Sequence, residues 1–115
     1  MLAHSQMLRA SSEIANIPFD PRAITDPSID PLLEGGRALI RFTDAAVGSD
    51  DPADARSLLA ELLGPAAVVD AAGVVANFEM MNRVAEATGM PVGKGTLART
   101  EEWRSLIGLD RYRHD

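Results

Sequence analysis

The chain reads as an all-α protein. Apolar residues recur every three or four positions through most of the 115 residues, helix start and stop signals punctuate it at regular intervals, and no run shows the strict alternation of a half-buried strand. Hydrophobic residues are 46% and charged residues 24% of the chain, a balance that suits a folded globular protein. Aromatic residues are only 4%, so the core must come from Ala, Leu, Val, Ile and Met. Small side chains favour close helix packing but give little apolar area per residue, which predicts further burial against partner chains.

The first element is a helix from Leu2 to Ile17, with Ala3, Met7, Ala10, Ile14 and Ile17 on one stripe and Pro18 as its stop. The linker that follows carries Pro18, Pro21 and Pro27 and predicts irregular structure with a short turn at Pro21–Ile24. In D-P-L-L-E-G-G-R-A-L-I-R-F, Asp30 is a suitable N-cap and Pro31 a suitable first helical residue. Leu32, Leu39, Phe42 and Ala46 are its expected buried face, and Gly48 its end. Gly35 and Gly36 each cost about 1 kcal/mol against Ala inside a helix, so they predict a kink or a very close neighbour.

The Asp-Pro signal repeats at Asp51 and Pro52 and opens a helix with Leu58, Leu59, Leu62 and Leu63 as its buried side. Gly64 ends it, and Pro65 opens the longest helix, which runs to Thr88 with Gly89 as a left-handed cap. A Gly/Val/Lys connection leads to a short last helix, capped by Thr100, started by Glu101 and Glu102 and stopped by Gly108. The polar tail carries His114. The whole is expected to form one domain over residues 1–115.

Charge and composition exclude several function classes. The net charge is −6 with no basic stripe, which excludes nucleic acid as a partner. An acidic surface repels anionic membranes, and the most apolar run, Ala66–Ala76, is interrupted by Asp70 and far shorter than the ~20 residues of a span. There are no cysteines, hence no disulfide, no thiolate metal site and no thiol nucleophile. No cofactor-binding loop or metal-ligand cluster is present, so no cofactor is expected. With no secretion signal either, the expected location is the cytoplasm.

Two candidate sites remain. On the long helix, Asp70 and Asn77 share the expected most buried face with Val74, Met81, Val84 and Thr88. They either form a polar patch at an active site or subunit contact, or bridge neighbouring backbone as buried polar groups must. Glu79, Arg83 and Glu86 make a solvated stripe on the other side. His4 lies in line with Leu8, Ser11 and Ala15, without a carboxylate three or four residues away; it is either a proton-transfer residue or a solvated one.

Three stretches in order, H-S-Q-M-L-R-A (His4–Ala10), D-P-L-L-E-G-G-R-A-L-I-R-F (Asp30–Phe42) and V-V-A-N-F-E-M-M-N-R-V-A-E-A-T-G (Val74–Gly89), resemble the carboxymuconolactone decarboxylase / AhpD-like alkylhydroperoxidase superfamily. In its thiol-peroxidase branch a helix carries C-x-x-C-x-x-x-H, and an earlier helix supplies a glutamate. Steps of three and four residues put both sulfurs and the imidazole on one helical face. One cysteine attacks a peroxide as thiolate and the other resolves the sulfenic acid. Matching His4 to the motif histidine places both cysteine positions ahead of Met1. The resemblance therefore implies an AhpD-like helical bundle lacking its N-terminal helices, with His4 as the remaining proton-relay residue.

Three functional expectations follow. One is the C-terminal part of an AhpD-like peroxidase, inactive without thiols. Another is a cysteine-free lyase or small organic acid binder related to carboxymuconolactone decarboxylase. The last is a non-catalytic helical module that packs against copies of itself or against a full-length homologue. The expected partners are accordingly a second copy of the chain and, for the enzymatic readings, a small peroxide or organic acid.

Overall fold

The computed structural model describes residues 2–48 and 51–112. Within them the protein is helical, with no strand among the described residues. In chain order the helices are α1 (Leu2–Ala15), α2 (Gly36–Val47), α3 (Ala53–Leu63), α4 (Pro65–Thr88), α5 (Lys94–Arg99) and α6 (Glu101–Leu106). Two 3-10 turns accompany them, Pro21–Ile24 and Leu109–Tyr112. The chain divides into two compact units, residues 34–91 and a unit made of residues up to 33 together with those from 92 onward.

The 34–91 unit contains α2, α3 and α4. Its buried cluster is Ala38 and Phe42 from α2 with Ala55 and Leu59 from α3, and Leu59 is fully enclosed. Leu39, Leu58, Leu63, Val68 and Ala71 pack against this cluster from partly buried positions. Alanines at half of the buried sites let α2 and α3 approach closely around one ring and one leucine. Leu62 and Ala46 are exposed, so the inward faces are narrower than the leucine spacing predicts.

The helix boundaries follow their cap chemistry. Gly48 ends α2 by donating its N–H to the Asp44 carbonyl, and Gly64 ends α3 by donating to the Ala60 carbonyl. Pro65 then occupies the first turn of α4, where a missing N–H is harmless. At the far end Gly89, with φ of 64°, donates to Glu86 and is followed by Met90 donating to Ala85. Asp51 Oδ1 accepts the Ala53 N–H at 3.0 Å, but Pro52 takes the cap position and α3 begins at Ala53, one residue later than the Asp-Pro signal predicts. Asp50, the acidic neighbour of that cap, lies outside the described residues.

The start of α2 differs from the expectation. Asp30 Oδ1 does accept a backbone N–H, but from Leu32, closing a local turn instead of a helix. Leu32 then takes φ of 62° and is exposed, and Gly35 takes φ of 68°. Left-handed backbone at both residues is incompatible with a continuous helix, which begins only at Gly36. Pro31 is buried, and its carbonyl accepts the Asp20 N–H at 2.9 Å, which ties it to the linker.

Of the two glycines, Gly35 has a close neighbour. A Cβ there would stand 2.6 Å from Leu63 Cδ1. The left-handed backbone and this contact act together, so Gly35→Ala is expected to destabilise the fold by about 2 kcal/mol or more. Urea unfolding followed by circular dichroism measures this; an unchanged midpoint would show that the α2 entry is free to rearrange.

Candidate functional site

His4 stands on the first turn of α1 and is exposed. The next residue, Ser5, is buried, and its Oγ accepts the indole N–H of Trp103 at 2.7 Å. One turn on, the Arg9 guanidinium sits 5.4 Å from the Trp103 ring centre, within cation–π range. Ser12, next on the same side, is half-buried. The line by which α1 meets Trp103 therefore runs through Ser5 and Arg9, four residues apart.

The apolar stripe of α1 lies on the other side. Met7 is 62% and Ile14 87% exposed, and Ile17, beyond the end of α1, is exposed too. The helix stops earlier than Pro18 requires, because Asn16 takes φ of 52° and Ile17 donates back to the Ser12 carbonyl. A buried indole N–H needs an acceptor, and the hydroxyl of Ser5 supplies one that no alkyl residue of the stripe could.

Around Trp103 the surface forms an open groove of about 610 Å³, lined by Arg9, Glu13, Phe19, Glu102 and Leu106 among others. Its main charges are already engaged, since Arg9 Nε donates to Glu13 Oε1 at 2.9 Å. His4 does not line it. A second open groove of about 460 Å³ runs past Thr25, Ile107 and Arg111. Its shape is fixed by the Thr25 hydroxyl, which donates to the Ile107 carbonyl at 2.6 Å, and by Arg111, which donates to the Thr25 carbonyl at 2.9 Å.

The linker turn is where electrostatics is strongest. The Asp20 carboxylate accepts from Arg22 Nε at 3.0 Å and Nη2 at 2.6 Å, and also from the Arg22 backbone. The side-chain bonds from Arg22 hold the Asp20 carboxyl below its ordinary value of 3.8. Bonds from the Ser28 hydroxyl and N–H lower Asp26 in the same direction. Asp20 and Arg22 build the expected Pro21–Ile24 turn.

Asp70 and Asn77 are exposed, in contrast to the buried face expected for them. Val74, Met81, Val84 and Thr88 on that side are exposed as well. The reason is that α4 turns Val68 and Ala71 toward the cluster instead. Arg83 and Glu79 do face each other, at 3.8 Å. Thr100 lies between α5 and α6, but its hydroxyl donates back to the Thr96 carbonyl at 2.7 Å and caps no α6 N–H. The helix α5 itself occupies the stretch expected to be a mere connection. His114 lies outside the described residues.

Among the described residues no three His, Asp or Glu side chains gather as metal ligands, and no helix is long and apolar enough to cross a membrane. His4, the one residue assigned a chemical role by resemblance, lies in one unit, and Asp70 and Asn77 lie in the other. The Ser5–Trp103 contact escaped the sequence reading; the chain's single tryptophan was the available signal. Comparison with protein-family models, curated proteins and solved structures finds no match for this chain.

Replacing Ser5 by Ala leaves the buried indole N–H without its acceptor and is expected to cost about 1–3 kcal/mol. The intrinsic fluorescence of Trp103 during urea unfolding reads this directly, and a wild-type midpoint would contradict it. A lowered folded-state pKa stabilises above the unfolded value and is lost as pH falls through the folded one. The carboxyl resonances of Asp20 and Asp26 should therefore titrate below 3.8, with the linker turn loosening as they do.

Proposed function

We propose that this chain is a cysteine-free helical association module of the AhpD-like / carboxymuconolactone decarboxylase-like type, which works by packing apolar helix surface against a second copy of itself. The observation that carries this is the state of α4. It is 24 residues long, and none of them is buried. Val69, Val74, Met80 and Val84 are each more than half exposed. A helix that exposes large apolar side chains beyond the face its own unit covers offers surface for a partner to bury. The 34–91 unit covers one side of it only.

The family part of the reading rests on the three ordered stretches of sequence. His4–Ala10 lies on α1, Asp30–Phe42 leads into and forms much of α2, and Val74–Gly89 forms the second half of α4 and its cap. In that family His4 would relay a proton for a thiolate. This chain holds no thiol, so the peroxidase reading gives it no reaction of its own. The lyase reading would need an acid–base pair in a pocket, and the grooves around Trp103 and Thr25 are open to solvent.

Two measurements test the proposal. Sedimentation equilibrium between about 1 µM and about 500 µM should show reversible self-association, as suits a small, weak interface; a folded monomer throughout would contradict it. Incubation with an organic hydroperoxide and a dithiol should give no turnover above buffer. Steady, protein-dependent peroxide consumption would return the chain to the enzymes.

A further inference from the structure

Gly73 sits in the middle of α4, where glycine costs about 1 kcal/mol relative to alanine. Nothing among the described residues explains it. Its φ is not in the left-handed region, and a Cβ built on it would meet no atom within 4 Å. A glycine with open space beside it leaves room for a close backbone approach from a second chain.

The residues around Gly73 say what approaches. Ala66, Val69, Gly73, Ala76, Met80, Val84 and Ala87 recur every three or four residues and are all exposed. At 3.6 residues per turn, Met80 lies about 180° around α4 from Ala71, which packs on the cluster. This is a second apolar face, directly away from the covered one. Its order of side-chain sizes reads nearly the same in both directions. Laid antiparallel on itself about a point between Ala76 and Asn77, Ala66 meets Ala87, Val69 meets Val84, and Gly73 meets Met80. The largest side chain of the stripe falls on the one residue without a Cβ.

We infer that α4 pairs with α4 of a second copy in this antiparallel register, with Met80 of each copy seated over Gly73 of the other. This rests on the association reading above and adds to it the partner's orientation and register. Self-complementarity of one patch is what a two-fold interface requires. A helix of 24 residues is about 36 Å long and about 10 Å wide. That offers roughly 400 Å² per copy, short of the ~800 Å² per partner of a stable complex, so the dimer dissociates on dilution.

Because the chain contains no cysteine, single-cysteine variants report the register cleanly. Under mild oxidation of the full chain, Ala76→Cys should form a disulfide-linked dimer, because the two copies of that position lie next to the two-fold axis. Ala66→Cys should not link to itself but should link to Ala87→Cys when the two are mixed. Gly73→Ala should raise the melting temperature of the dilute monomer by several degrees and weaken dimerisation about tenfold or more.

If Ala66→Cys links to itself, the pairing is parallel and the inference is wrong, although the association reading stands. The same holds if the chain self-associates but Gly73→Ala leaves the association constant unchanged. If the chain sediments as a monomer and no variant cross-links, another surface covers α4, and both the inference and the reading fall.

Discussion

A helix with apolar residues on two opposite faces is the constraint around which the 34–91 unit is arranged. The near side of α4 is satisfied by α2 and α3, through Val68 and Ala71 against Phe42, Leu59 and the two core alanines. Its far side carries Val69, Met80 and Val84 into solvent. Leaving such a side wet forgoes about 25 cal/mol for each Å² of apolar surface. For a unit whose buried cluster is four residues, two of them alanine, that is a large share of what could stabilise it. The assembly proposed for this protein is the direct physical consequence.

The other unit solves its packing differently. Its buried side chains include Trp103 and Ile107, and the indole demands a polar partner, which makes Ser5 the inward residue of α1. That choice rotates Met7 and Ile14 outward and places His4 in solvent beside them. The position of His4, the histidine singled out by resemblance alone, is thus set by a tryptophan almost a hundred residues later in the chain. It is a packing outcome, and the sequence around His4 alone does not contain it.

Legibility in the sequence tracked how local the physics was. Gly48, Gly64, Pro65 and Gly89 act through their own backbone, and each marks the boundary it was expected to mark. The Pro21–Ile24 turn is equally local, held by Asp20 and Arg22 two residues apart. The start of α2 was missed because Asp30 can cap a helix or close a turn with the same oxygen, and Leu32 and Gly35 decide between them. Asp70 and Asn77 are exposed against expectation because α4 carries apolar residues on more than one face, so periodicity does not tell which face meets the cluster. The same ambiguity is what exposes the second face.

Hydrogen exchange of the α4 amides at two protein concentrations tests this account most directly, since partner contact and local order both act on those groups. The account predicts that protection from Val69 to Val84 increases when the protein is concentrated, while the amides of α1 change less. Protection that is the same at both concentrations would mean that no second copy covers α4, and would contradict it.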